Sequence, residues 1–188
     1  IEREKKLGLG TAYIYGFKWG LERDYQYFFE MDADFSHPPV DLLRLYKACA
    51  EDGADVAIGS RYVPGGGVVN WPKDRLILSK GASLYTRIIT GMPVMDPTAG
   101  FICYARPVLE TLDLDKIRFV GYAFQIGMKY LAYKAGFTLK EVPIQFVERE
   151  FGVSKMHSGI IKEAIIGVLN LRLSSVFKPR KMKAEAKA

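Results

Sequence analysis

The sequence is poor in the residues that build disulfide frameworks and metal-binding cysteine motifs, and it has no long apolar run. Among 188 residues there are two cysteines and two histidines. Cys49 lies in a helical pattern and Cys103 in an apolar strand-like pattern, so both are predicted to be buried thiols in a reducing compartment. Because no stretch of about 18 apolar residues occurs, no transmembrane helix is predicted. The length fits one folded domain.

Positive charge is in excess and is concentrated near the C-terminal end. The formal net charge of +6 suggests an anionic partner such as a nucleotide, a lipid phosphate or an acidic membrane surface. Residues 178–188 hold much of the excess, so we predict a basic disordered tail there and a single domain over residues 1–177. No nucleic-acid-binding motif is present, and no nucleic-acid partner is expected.

Strand-like and helix-like segments alternate along the chain, which is typical of an α/β domain. Strands are predicted at residues 25–31, 54–59, 100–104 and 137–148. Helices are predicted at about residues 11–22, 38–50, 75–90, 107–112, 122–134 and 159–177. A loop rich in glycine and proline is predicted between residues 63 and 72.

An acidic pair follows the first predicted strand. Asp32 and Asp34 come directly after the aromatic-rich segment at residues 25–31. In open α/β sheets, ligands bind beyond the carboxyl ends of the strands, and two carboxylates one residue apart can share a hard cation. The pair therefore predicts a Mg²⁺ or Mn²⁺ site with positions left for phosphate oxygens, and a solvated acidic turn is the alternative. His37 is predicted to pack within the loop rather than to bind the metal.

A series of motifs, in order along the chain, resembles one family. Residues 31–39 (MDADFSHPP) are similar to the metal motif of the dolichyl- and polyprenyl-phosphate mannose synthases, which are inverting glycosyltransferases of the GT-A fold. The further motifs lie at residues 59–62, 70–79, 96–101, 121–126 and 149–156. The resemblance covers nearly all of the chain, from Gly8 to Leu173. It implies an α/β GT-A domain with a mostly parallel central sheet.

The resemblance also implies an activity and a set of site residues. The activity is transfer of a sugar, mannose from GDP-mannose, to a polyprenyl or dolichyl phosphate. Asp32 and Asp34 are implied to hold the Mg²⁺ or Mn²⁺ ion that neutralises the departing diphosphate. The residues implied to act in catalysis are Asp34, Arg61 and Arg75. Those implied to bind substrate are Ser79, Asp96, Arg149 and Lys155.

A lipid phosphate acceptor requires cations more than it requires a general base. Its second pKa is about 6, so it is already a competent nucleophile at neutral pH. Catalysis then depends on positioning and on charge stabilisation. Arg61, Arg75, Arg149 and Lys155 fall in loops or helix starts at predicted sheet ends, which suits this demand. Each of them alone is also compatible with an ordinary surface cation. Residues 149–158 are expected to form a loop that closes over the diphosphate.

Three alternatives stay open at this point. The donor could be UDP-glucose or another nucleotide sugar. The acceptor could be a sugar hydroxyl, which would require a carboxylate base, and Asp96 is the candidate. The chain could also be a non-catalytic module that binds anions or membranes, as the net charge alone would allow. Against this last alternative, Asp32 and Asp34 would repel an anion unless a metal ion lay between them.

Two further expectations concern the surface of the domain. The apolar helix at residues 159–177 is predicted to pack on the sheet, with the bilayer surface as the alternative, and we expect a cytoplasmic protein peripheral to the membrane. In the family that the chain resembles, the segment at residues 5–12 follows a strand–helix–strand unit, so the first strands are expected to be missing here. The strand at residues 25–31 would then have an open edge or pair with a second copy, giving a homo-oligomer.

Overall fold

The structure, a computed structural model, describes residues 2, 7–117, 122–148 and 158–173. Its α-helices and strands, in chain order, are α1 (Leu9–Leu21), β1 (Tyr27–Glu30), α2 (Asp41–Ala50), β2 (Val56–Ser60), β3 (Gly67–Val69), α3 (Lys73–Thr90), β4 (Ile102–Ala105), α4 (Arg106–Thr111), α5 (Tyr122–Lys134), β5 (Leu139–Pro143), β6 (Gln145–Val147) and α6 (Ser158–Leu173), and a short 3-10 helix at Leu114–Lys116 lies between α4 and α5. The predicted α/β class is confirmed. No helix in these ranges is both long enough and apolar enough to cross a membrane.

The main sheet has four strands in the order β1-β4-β2-β5. β4 pairs antiparallel with both β1 and β2, whereas β2 pairs parallel with β5. Three of the four strands therefore run in one direction and β4 runs in the other. Among the described residues β1 pairs only with β4, so it lies at an edge of this sheet.

Adjacent residues of the central strands point into two different apolar clusters, one on each face of the sheet. On β2, Val56 and Ile58 belong to one cluster and Ala57 to the other. All five residues of β2 are buried, as expected for a strand covered on both faces. Cys49 and Cys103 are both buried free thiols in the cluster beneath α2, as their sequence context predicted.

Helix ends follow local sequence signals. α3 ends at Gly91, whose φ of 68° places it in the left-handed region that glycine adopts at helix ends. α5 occupies the predicted range of residues 122–134, and residues 123–132 are all buried. α5 is buried on all sides over most of its length, with Gln125 and Lys129 as its buried polar residues, and it lies in the interior against β5 and α6.

The segment predicted as one strand at residues 137–148 forms two strands in two different sheets. β5 ends at Pro143, and the chain then joins β3 in a separate two-stranded parallel sheet through β6. The switch occurs at Ile144, whose N–H donates to the Ser60 carbonyl (3.0 Å) and whose carbonyl accepts from Gly67 N–H (3.0 Å). Gly66 permits this approach, because a Cβ there would lie 2.5 Å from the Ser60 carbonyl oxygen. β3, inside the predicted loop, was not expected from the sequence.

Candidate active site

Several of the predicted site residues lie along the edge of the main sheet at which β1 and β2 end. β1 and β2 end at this edge and β4 begins there, since β4 runs antiparallel to both. Asp32 and Asp34 follow β1, Arg61 follows β2 and Asp96 precedes β4. Asp96 precedes the strand that lies between β1 and β2, and its carboxylate contacts Arg61 directly.

The carboxylate of Asp34 is oriented by its own loop. Its Oδ1 accepts hydrogen bonds from Ser36 N–H (3.2 Å) and from Ser36 Oγ (2.5 Å). The intervening Phe35 has a φ of 61° and is exposed, an unusual combination for a bulky residue. Backbone strain of this kind persists where the surroundings fix it, and it is concentrated at functional sites. The strain supports a functional role for this loop.

The donor set at the end of β1 suits a hard divalent cation. Asp32 and Asp34 are both half-buried and supply carboxylate oxygens, the ligands that Mg²⁺ and Mn²⁺ prefer. In the part of the chain that the structure describes, no group of three or more His, Cys, Asp or Glu side chains is arranged to hold a metal. A cation held by this pair would keep open positions for other oxygen ligands.

His37 is enclosed by aromatic rings. Its ring centroid lies 4.9 Å from that of Phe101 and 5.1 Å from that of Phe146. Burial, together with the nearby charge of Arg61, lowers the pKa of His37 to about 4, so the imidazole is neutral at physiological pH. This is the environment of a packing side chain, in agreement with the sequence prediction.

Arg61 and Asp96 form a buried ion pair. The Asp96 carboxylate accepts from Arg61 Nε (2.6 Å), Nη2 (2.6 Å) and the backbone N–H (3.1 Å), and Arg61 Nη2 also donates to Thr98 Oγ1 (2.9 Å). Burial alone would raise the pKa of Asp96, but the charge and hydrogen bonds of Arg61 outweigh it and hold the pKa below its ordinary value. Asp96 is fully enclosed, so it is placed to hold Arg61 rather than to contact substrate or act as a general base.

Arg75 and Ser79 lie on the inner side of α3. Arg75 forms an ion pair with Glu148, and its Cζ lies 4.0 Å from the centre of the Trp71 ring. Ser79 is buried and accepts a hydrogen bond from the Tyr62 hydroxyl (2.7 Å). Arg75 Nε and Trp71 Nε1 are buried and have no hydrogen-bond partner among the described residues. Unpaired donors on two side chains in contact can bind an anionic oxygen.

Trp71 joins the two arginines into one cluster. The Cζ of Arg61 lies 5.4 Å from the Trp71 ring centre and 5.1 Å from that of Tyr62. Cations over aromatic faces are stabilised by the ring quadrupole. No sequence pattern indicated a role for Tyr62, Trp71 or Glu148. Trp71 lay within a recognised motif, whereas the role of Glu148 depends on the β3–β6 pairing.

Two predicted site residues, Arg149 and Lys155, lie outside the described residues. The same holds for the rest of the predicted closing loop up to residue 157 and for the predicted basic tail at residues 178–188. The structure brings together Arg61, Arg75, Ser79 and Asp96, with Asp32 and Asp34 at the same sheet edge.

Comparison with known sequences gives close relatives. The family described as Glycosyl transferase family 2 matches residues 1–113. The chain is 52% identical over 168 residues to polyprenol monophosphomannose synthase from Mycolicibacterium smegmatis, covering 89% of this chain and 63% of that protein. It is 49% identical over 175 residues to undecaprenyl-phosphate mannosyltransferase from Micrococcus luteus, covering 93% and 71%. The chain thus spans less than two thirds of the first relative and somewhat more of the second.

Comparison with solved structures confirms the GT-A fold. Glucosyl-3-phosphoglycerate synthase from Mycobacterium tuberculosis, in complex with phosphoglyceric acid, matches with a TM-score of 0.60 at 14% identity. That match covers 90% of this chain and 56% of the other. The same enzyme with Mn²⁺, UDP-glucose and glycerol 3-phosphate matches with a TM-score of 0.59 at 15% identity, covering 89% and 55%.

Proposed function

The chain belongs to glycosyl transferase family 2, and on that basis we propose that it transfers mannose from GDP-mannose to a polyprenyl phosphate. The observation that carries the proposal is the edge of the main sheet at which β1 and β2 end: an acidic pair follows β1, Arg61 follows β2, and Trp71 links Arg61 to Arg75. The acidic pair suits a metal-bound diphosphate and the arginines suit a second phosphate. The names of the two relatives at about half identity support mannose as the sugar and a polyprenyl phosphate as the acceptor.

On the donor side, Asp32 and Asp34 would hold a divalent ion. A bound Mg²⁺ or Mn²⁺ ion supplies the positive charge that stabilises the departing nucleoside diphosphate. A structural relative crystallised with Mn²⁺ and UDP-glucose supports the presence of such an ion in this fold. The hydrogen bonds from Ser36 fix the Asp34 carboxylate before a ligand arrives, which lowers the entropic cost of binding.

On the acceptor side, Arg75 and Trp71 would bind the lipid phosphate. Arg75 already uses one nitrogen on Glu148, yet a guanidinium has five N–H donors, and its Nε is unpaired among the described residues. Trp71 Nε1 adds a neighbouring donor. The phosphate oxygen itself is the nucleophile, so the site needs no general base, which agrees with the enclosure of Asp96.

The outer surface of α3 supports contact with a membrane. Its buried positions are polar, namely Ser79, Ser83, Thr86 and Thr90. Its exposed positions include the apolar residues Ile77, Leu84 and Ile88, which share one stripe because they lie seven and eleven residues apart. Three cations spaced by seven residues run beside that stripe: Lys73, Lys80 and Arg87. An apolar stripe flanked by cations suits the surface of an anionic bilayer.

α6 extends this apolar surface. It packs beside α3, with the Tyr85 hydroxyl donating to the Ile165 carbonyl (3.2 Å), and it exposes Ile166, Leu169 and Leu173. We therefore propose a protein peripheral to the membrane, and the two buried free thiols support the cytoplasmic side. Self-association through β1, which lies at the sheet edge among the described residues, stays a proposal as well.

A direct assay tests the proposed reaction. The full-length protein is incubated with polyprenyl phosphate and, in separate reactions, with labelled GDP-mannose, UDP-glucose and other nucleotide sugars. We expect label to enter the organic phase from GDP-mannose and only when both Mg²⁺ or Mn²⁺ and the lipid phosphate are present. Transfer from UDP-glucose alone would show that UDP-glucose, and not GDP-mannose, is the donor. Transfer to a sugar hydroxyl without lipid phosphate would contradict the proposal that polyprenyl phosphate is the acceptor.

A further inference from the structure

The segment that carries Asp96 is held by two charged side chains, one that binds its carbonyls and one that binds its amides. We call residues 95–99, which close a turn through a hydrogen bond from Ala99 N–H to the Asp96 carbonyl (3.2 Å), the Asp96 turn. On the inner side, Lys129 Nζ donates to the carbonyls of Pro97 (3.0 Å) and Ala99 (2.6 Å). Lys129 thus fixes both carbonyls that face the interior.

On the other side, Glu141 fixes the amide groups of the same turn. Its carboxylate accepts from Met95 N–H (2.7 Å) and from Asp96 N–H (2.9 Å). Two charge-assisted hydrogen bonds to adjacent amides leave little freedom for the backbone at Asp96. Lys129 comes from α5 and Glu141 from β5, so two separate elements hold this turn.

Lys129 is an unusual residue for its position. It is fully buried, within a stretch of α5 in which residues 123–132 are all buried. Burial of an ammonium group is costly unless its charge and donors are satisfied. Here the third N–H of the Lys129 ammonium donates to the Gln125 carbonyl (3.1 Å), and the carboxyl groups of Glu30, Asp96 and Glu141 compensate its positive charge. A leucine or methionine would pack in such a helix without this cost, so the ammonium is explained by the carbonyls that it holds.

The consequence of this arrangement reaches Arg61. The position of Asp96 decides where its carboxylate lies, and that carboxylate accepts three hydrogen bonds from Arg61. We propose that Lys129 and Glu141 are positioning residues that fix the Asp96 turn and, through Asp96, the guanidinium of Arg61. Neither side chain needs to touch substrate for this role. A displacement of about 1 Å in a positioned group can lower a reaction rate by about two orders of magnitude.

The first test measures the backbone directly and does not depend on the proposed function. Hydrogen exchange is compared in the full-length protein for Lys129→Met, Glu141→Gln and the control Lys134→Met, an exposed lysine at the end of the same helix. In both test variants we expect at least tenfold faster exchange at the Asp96 turn and at the Arg61 amide, which donates to Asp96. Lys134→Met should leave these amides unchanged. Unchanged exchange at the Arg61 amide in Lys129→Met would overturn the proposal.

The second test measures transfer, and this arm rests on the proposed function. We expect kcat to fall about 10- to 100-fold in Lys129→Met and Glu141→Gln, with the KM for the nucleotide sugar changed less than about twofold. In an Arg61→Lys background, Lys129→Met should cause little further loss of kcat, because Lys129 acts on the reaction through Arg61. A full additional loss in that background would overturn the link to Arg61.

Two controls keep the tests decisive. If Lys129→Met does not fold, Glu141→Gln decides, because Glu141 is only half-buried and the carboxyl groups of Glu30 and Asp96 remain to compensate the charge of Lys129. If the protein transfers no sugar under any condition, the exchange result still supports or overturns the positioning role, and only the proposed function fails.

Discussion

The guanidinium of Arg61 forms two hydrogen bonds with the carboxylate of Asp96, with Nε 2.6 Å from Oδ2 and Nη2 2.6 Å from Oδ1. The pair connects the end of β2 with the segment that precedes β4. The Asp96 side chain is fully buried and that of Arg61 is 10% exposed, so neither charge can be satisfied by solvent if its partner is lost.

Loss of the Asp96 charge should destabilise the fold. Asp96→Asn leaves the Arg61 guanidinium buried without its counter-charge, and we expect the free energy of unfolding to fall by about 3–5 kcal/mol. Urea denaturation of the full-length protein measures this change. Asp52→Asn is the matched control, since Asp52 pairs with Lys140 at the surface and its loss should have no measurable effect. An equal effect of both substitutions would contradict the importance of the buried pair.

Loss of either carboxylate after β1 should remove metal-dependent transfer. Asp32→Asn or Asp34→Asn should lower the transfer rate roughly 100-fold or more, because the diphosphate would depart without a bound cation. Titration of Mn²⁺ into the assay should no longer restore activity. Asp24→Asn, an exposed aspartate in the turn before β1, is the control and should retain its metal response. Full activity of the parent protein in EDTA would refute the metal role.

Loss of the Arg75 side chain should weaken binding of the acceptor selectively. Arg75→Ala removes a charge-assisted contact worth about 1.5–3 kcal/mol, so the KM for polyprenyl phosphate should rise roughly 10- to 150-fold. The KM for the nucleotide sugar should change little. Arg44→Ala on α2, where Arg44 pairs with Asp41, provides a control of the same size. Equal increases for both substrates would show that Arg75 is not specific to the acceptor.

Because of His37, the free energy of unfolding should decrease at mildly acidic pH. Burial and Arg61 lower the pKa of His37 from 6.5 to about 4 in the folded state, so the unfolded chain binds the proton more readily. Stability should therefore fall as pH decreases from about 6.5 to 4, by about 3 kcal/mol over this window. Denaturant titrations in EDTA across this range measure the slope. His37→Phe keeps the ring between Phe101 and Phe146 and should flatten the curve, and an unchanged slope would exclude His37 as its source.

The outer face of α3 should bind anionic membranes. A triple variant removes its apolar stripe by substituting glutamine at Ile77, Leu84 and Ile88. We expect about tenfold or greater loss of liposome binding, because these side chains would no longer leave water. Flotation with vesicles containing anionic lipid measures the bound fraction.

Two comparisons define the origin of this membrane binding. A control variant replaces Val40 and Leu43, exposed apolar residues near α2, by glutamine and should float normally. Removal of residues 178–188 should weaken binding at low salt if the basic tail contributes. Equal flotation of the triple variant and the parent protein would exclude α3 as the contact surface.

Local sequence patterns predicted most of the helices and strands and the order of the site motifs. The largely apolar segment at residues 122–134 predicted α5 at its observed bounds, and Gly91 marked the end of α3, because a continuous apolar segment and a helix-ending glycine are both local features of the sequence. The acidic pair after β1 was readable for the same reason, since a strand followed by a turn of polar residues needs no distant contact to form.

The tertiary structure decided the partners of each charged residue. Asp96 was a candidate base in the sequence, yet pairing of β4 between β1 and β2 encloses it against Arg61. The division of residues 137–148 into β5 and β6 places Glu148 on Arg75. The sequence did not indicate a role for Lys129, which is a single lysine in a largely apolar helical segment. Such assignments arise from contacts between residues 30 to 80 positions apart, whose geometry depends on strand order and packing that no local pattern encodes.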